Sequence, residues 1–165
     1  MRNLFSKYYW SQPIYKEDLR GVLLNGAIFS ILGGILAGAL DFLFMRLGFP
    51  LMFGLIIICY LVGTKMRSGY YTYHILYPTL SILFMIVAFF FSEVTQMCLL
   101  KQSISIIPAL LSSGSFYLNF LFGPFMMLVN TIKSFDILNM ILVILNICIY
   151  FWAFGYCYRI VKGGN

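Results

Sequence analysis

From residue 21 to residue 160 the chain passes through one apolar stretch after another, and the polar intervals between them are short. A run of roughly 18 or more apolar residues with few charges reads as a membrane-spanning helix, because the hydrocarbon core of a bilayer is about 30 Å thick and a helix rises about 1.5 Å per residue. Such stretches fall at 21–45, 50–64, 74–92, 104–131 and 137–160. The second is short, but Gly48-Phe49-Pro50 makes a tight turn before it and 51–62 is unbroken. Composition points the same way: 62% of the 165 residues are hydrophobic and 10% charged, against about a quarter charged in soluble domains. The expected fold is all-α, a polytopic transmembrane helix bundle. It forms a single domain over 21–162, preceded by a cytoplasmic or interfacial segment, 1–20, too short to build its own core. That segment holds Tyr8, Tyr9, Trp10, Pro13, Glu17 and Asp18. It is polar and aromatic rather than a short apolar core, so the run after it is expected to be a retained span and not a cleaved signal.

The stretch 104–131 differs from the others. It contains Pro108, Ser112-Ser113-Gly114-Ser115, Asn119 and Gly123-Pro124. Proline removes a backbone donor and crowds the preceding turn, and lipid offers nothing to satisfy the freed carbonyls. A broken, re-entrant or interfacial pair of short helices suits these residues better than a clean span. Charge supports that choice, since Lys and Arg gather on the cytoplasmic side. If every stretch crosses from a cytoplasmic N-terminus, Arg2, Lys7, Lys16, Arg20, Lys65, Arg67 and Lys133 lie inside, and Arg46, Lys101, Arg159 and Lys162 outside. If 104–131 does not cross, Lys133 moves out while Arg159 and Lys162 move in, leaving only Arg46, Lys101 and Lys133 outside. The expectation is therefore about four spans, both termini cytoplasmic, in a bacterial inner membrane.

The net charge of +6 is then concentrated on a cytoplasmic face carrying Lys16, Arg20, Lys65, Arg67, Arg159 and Lys162. Anionic head groups attract such a face by about 1 kcal/mol per basic residue near the surface. An acidic cytosolic protein would be attracted by the same charge. Tyr8, Tyr9, Trp10 and Tyr15 at the start, with Trp152, Tyr156 and Tyr158 at the end, resemble interfacial aromatic belts on that side.

Inside the apolar stretches a few residues stand out. Gly26, Ser30, Gly34 and Gly38 recur every four residues along one helix face, with Gly33 and Ala37 beside them. Small-residue stripes let two helix backbones approach closely in lipid, so this one marks either self-association or a contact with another span of the same chain. Asp41 is a carboxylate in an apolar run, a costly placement that implies a purpose. Arg20 to Asp41 is about 31 Å of helix, roughly the hydrocarbon thickness. That distance favours an outer-interface pair of Asp41 with Arg46 over a proton or cation site. Asn139 and Asn146 share a face of the last span, as hydrogen-bonding glue for helix packing, an oligomer contact or a polar pathway, and Asn25 reads similarly. Glu93, Gln96, Lys101 and 104–131 make up the outward structure. Its Phe residues 116, 120, 122 and 125 fit either a sensing or gating element or a loop that covers the bundle.

Chemistry is hard to find. His74 is flanked by Tyr73 and Tyr77 at a span's inner end and reads as interfacial. No carboxylates pair at helical spacing, Ser112 to Ser115 lack a Gly-x-Ser-x-Gly frame, and Gly163-Gly164 is not a phosphate loop. Cys59, Cys98, Cys148 and Cys157 lack Cys-x-x-Cys spacing and read as small hydrophobes. No nucleophile meets a base. The expectation is no enzyme, no cofactor, no metal and no direct nucleic-acid binding.

The Gly-rich first helix, Leu47-Gly48-Phe49, and the run Gly63-Thr64-Lys65-Met66-Arg67-Ser68-Gly69 leading into Tyr73 resemble a loose class of small bacterial membrane proteins of unassigned activity. The likeness covers about 26–93 and implies a four-helix bundle. In overall shape the chain is also similar to the four-span membrane subunits that accompany a cytosolic effector, such as the membrane component of the Kiwa anti-phage system. That likeness implies a non-enzymatic anchor or sensor, self-associating in the bilayer beside a cytosolic protein. The rival expectations are a small oligomeric channel or transporter lined by Asn139, Asn146 and Asp41, and an immunity protein against a membrane-active toxin.

Overall fold

Thirty-one residues rich in Leu, Ile, Ala and Gly, without a proline, form the first helix, α1 (Lys16–Arg46). Glu17 and Asp18 in its first turn and Arg46 in its last complement the helix dipole. It ends at Gly48, whose φ of +85° is the left-handed backbone that glycine adopts without strain. In this computed structural model, residues 13–48, 51–134 and 137–163 are described. The aromatic and basic residues expected at 1–12 lie outside them.

The chain continues as α2 (Gly54–Arg67), α3 (Leu76–Lys101), a single 3-10 turn (Ile104–Ile106), α4 (Ile107–Ser112), α5 (Gly114–Ser134) and α6 (Ile137–Lys162). All regular structure among the described residues is helical. Three of the helices, α1, α3 and α6, are long and apolar enough to cross a membrane. At 14 residues, α2 is about 21 Å long, shorter than the hydrocarbon layer, and it is the most enclosed element. Leu55, Ile58, Cys59, Val62 and Met66 are all at most 1% exposed. It is wedged between α1 and α6 and also touches α3.

Two sequence expectations are corrected at the far end of α3. Glu93, Gln96 and Lys101 belong to the helix and not to an outward loop, so α3 runs nine residues beyond the expected 92. Its end is a Schellman turn with Gln102 left-handed (φ 52°), Ser103 N–H on Cys98 C=O and Gln102 N–H on Leu99 C=O. The break expected within 104–131 falls at Ser113, whose extended backbone (φ −87°, ψ 112°) separates α4 from α5. Pro108 sits in the first turn of α4, where its missing N–H costs nothing. Gly123 and Pro124, expected to interrupt the chain, lie inside the continuous helix α5.

The path of this segment follows from its contacts. α6 ends beside Tyr70, in the α2–α3 loop, through the Tyr70 hydroxyl on the Val161 carbonyl. The start of α6 is therefore at the opposite end of the bundle, and α5 finishes two residues before it. The segment also leaves α3 at that opposite end. At the start of α5, Phe116 packs on Phe90 with ring centroids 5.8 Å apart, about 17 Å of helix short of Lys101. Residues 104–134 thus enter the bundle and return to the end they came from. Phe116 and Phe120 pack against Phe89 and Phe90, while α5 lies along α6.

Candidate functional site

A helix that starts or stops inside an apolar layer leaves backbone groups that water cannot reach. Three polar side chains of the apolar helices meet this requirement at the ends of α2. At its start, the Asp41 carboxylate Oδ1 accepts the Gly54 N–H at 2.7 Å, and Asn146 Oδ1 on α6 accepts the Met52 N–H at 3.0 Å. The Phe53, Leu55 and Ile56 N–H groups are met by the Leu51, Met52 and Phe53 carbonyls. At the other end, Asn25 Nδ2 donates to the Lys65 carbonyl at 2.9 Å. One helix, α1, therefore holds both ends of its neighbour, through Asn25 and Asp41. Sixteen residues of α1 span about 24 Å, a close match to the length of α2.

The expected pair of Asp41 with Arg46 gives way to this cap. Asp41 turns inward and is 7% exposed, whereas the Arg46 guanidinium lies over the Phe42 ring, 5.2 Å from its centroid. A carboxylate at a helix N-terminus also meets the positive end of the dipole. Gly54 fits beneath it because it has no side chain: a Cβ there would stand 2.7 Å from both Ala37 Cβ and Asp41 Oδ2. Glu93 on α3 lies near Asp41.

The small-residue stripe is occupied within the chain. A Cβ at Gly26 would enter the Phe84 ring, one at Gly34 would strike the Ala88 carbonyl, and one at Gly38 the Ser92 carbonyl. Ser30 is fully buried and turns its hydroxyl back to the Ala27 carbonyl. The stripe is the seat of α3 on α1, so this face is not available to a second copy. Gly33 and Ala37, the flanking pair, belong to the α2 side.

Lys16, Arg20, Lys65, Arg67, Arg159 and Lys162 all lie at one end, and a network of ties holds that end together. Asp18, 6% exposed, accepts the Tyr71 and Thr72 N–H groups at 3.2 and 3.0 Å. Gly21 and Gly69 touch backbone to backbone, leaving no room for a Cβ on either. Arg67 lies over the Tyr70 ring at 4.6 Å, and the Tyr70 hydroxyl reaches Val161 on α6. Burial pushes the Tyr70 phenol above its ordinary value of 10.0, against the pull of the Arg67 charge, so it remains a donor. His74 caps α3, its Nδ1 accepting the Leu76 N–H at 3.1 Å.

Asn139 is exposed on α6, whereas Asn146 turns to the start of α2. Sequence reasoning missed Asp18, Gly54, Tyr70 and the Gly21–Gly69 contact. Among the described residues no three His, Cys, Asp or Glu side chains form a metal-binding group. Comparison with protein families, with curated proteins and with solved structures finds no match for this chain.

Proposed function

We propose that the chain is a non-enzymatic integral membrane subunit of a bacterial inner membrane. In this reading α1, α2, α3 and α6 are its four spans, both termini are cytoplasmic, and it anchors or senses for a cytosolic protein in a larger complex, of the kind used in anti-phage defence. The observation that carries the proposal is where the polar groups go. Asn25, Asp41 and Asn146 each hold an end of α2, so they are committed to structure and not to a conducting path or a reaction. The tied, basic end supports the orientation, with its six cations on the cytoplasmic side. The re-entrant course of 104–134 supports an even number of crossings.

Self-association, in this proposal, uses the outward face of α6 and not the glycine stripe. The apolar window of α6 is 11% buried, against 33% for α1 and α3. The test is purification of the tagged full chain in mild detergent, with mass determination and identification of co-eluting protein. The expected outcome is a defined oligomer with a stoichiometric soluble protein. A homo-oligomer alone that passes ions in liposomes would replace this reading with a channel.

A further inference from the structure

At the end of the bundle away from the six cations, α1 and α3 diverge around a cleft of about 540 Å³. Its walls are Phe42, Leu99 and Ile104, and its polar groups are Arg46, Gln102 and Ser103. The depth of this cleft follows from helix length. α1 has 31 residues, about 46 Å at 1.5 Å per residue, close to the 40–45 Å of a bilayer with its head groups. With Lys16 at one head-group layer, Arg46 stands at the other. Gln102, at the end of the 26-residue α3, is level with it.

Two features of the cleft are unexplained by folding. Arg46 makes its ring contact with Phe42 and, among the described residues, no ion pair. Gln102 occupies the left-handed position of the Schellman turn (φ 52°), where glycine costs least. A long amide side chain held in strained backbone at the lip of a cleft needs a use beyond the turn. A guanidinium and an amide at phosphate depth, above apolar walls that open toward lipid, match one ligand; the Ser103 hydroxyl beside them caps the 3-10 turn through the Ser105 N–H. We propose that this cleft binds a glycerophospholipid, with its phosphodiester on Arg46 and Gln102 and the top of its acyl chain along Leu99 and Ile104. An arginine donating charge-assisted bonds to phosphate is the strongest of these contacts.

The experiment uses the full chain in maltoside micelles, which contain no phosphate, and phosphatidylglycerol bearing a diazirine near the top of one acyl chain. Adducts after illumination are mapped by peptide and normalised to those on α6 around Phe151, which faces outward. The expected result is labelling enriched over 98–104, competed by unlabelled phosphatidylglycerol but not by diacylglycerol or inorganic phosphate. Arg46→Gln should weaken that competition about tenfold, in line with loss of one charge-assisted bond. Gln102→Gly tests the site without risk to the fold, because it relieves the left-handed strain while removing the amide; it too should lower labelling at 98–104. Equal competition by diacylglycerol, or unchanged labelling in both variants, would overturn the assignment. Displacement by millimolar inorganic phosphate would also overturn it, in favour of a free-anion site.

Discussion

Replacing Asp41 separates a structural carboxylate from an ion-handling one. Asp41→Ala removes the acceptor of the Gly54 N–H, a group that is itself buried. An unsatisfied buried donor costs about 1–3 kcal/mol, and losing a charge at a helix N-terminus adds roughly 0.3–1 kcal/mol. The expected destabilisation is therefore about 1–4 kcal/mol. Asp41→Asn keeps an acceptor of the same shape and loses only the charge, so it should cost about 1 kcal/mol or less. Unfolding by sodium dodecyl sulfate in mixed micelles, followed by circular dichroism, measures both. A stable Asp41→Ala protein would refute the cap. Equal losses for Asn and Ala would show that charge, and not hydrogen bonding to α2, is what the site needs.

Gly34→Leu should cost roughly 1–3 kcal/mol by overpacking, since its side chain would be driven into the Ala88 backbone; the oligomer mass by native mass spectrometry should not change, and an altered mass would return the stripe to intermolecular use. Asn25→Leu should lose about 0.6 kcal/mol, and at most one or two, the range for interhelical hydrogen bonds in membranes, read in the same unfolding assay. Tyr70→Phe removes the tie to Val161. Because the folded Tyr70 is raised above its ordinary 10.0, its protonated form is favoured by folding. The wild-type advantage over Tyr70→Phe should be constant below pH 10 and disappear as pH climbs through the raised folded value; an advantage that grows above pH 10 contradicts the buried-donor account.

Periodicity and charge made the helices legible before the structure, because a bilayer imposes length and apolarity on any span. The stripe Gly26, Ser30, Gly34 and Gly38 was legible as a close contact but not as to its partner. Choosing α3 over a second copy required knowing that Phe84, Ala88 and Ser92 fall at matching heights. Asp41 was legible as costly, yet the distance argument looked along its own helix and found Arg46 there. The Gly54 N–H that it serves belongs to a neighbour, and backbone donors leave no mark in a sequence. Gly54 itself offered one missed signal, a glycine opening a helix shortly after the turn at Gly48. Asp18 was hidden for a similar reason: near two basic residues it reads as a surface charge, whereas its oxygens serve the Tyr71 and Thr72 N–H groups.

The short helix accounts for much of the remaining organisation. A 14-residue helix cannot reach both surfaces of a layer about 30 Å thick, so at least one of its ends must be satisfied by protein. With its C-terminal turn, Lys65 and Arg67, at the basic end, its start lies beside Asp41 on α1. That start is where Asp41 and Asn146 converge, from helices on either side of α2. The two ends of the molecule are consequently built differently. At the basic end, α1, the 68–75 loop and α6 are cross-tied by Asp18, the paired glycines and Tyr70. At the far end, α5 rests on aromatic contacts with α3 and α6, and Ile104, Leu111, Phe122 and Ile132 remain exposed. Local opening is easiest where buried contacts are fewest. The anchor-or-sensor function proposed above would use that division, with the cross-tied end toward a cytosolic protein and the more exposed segment toward lipid.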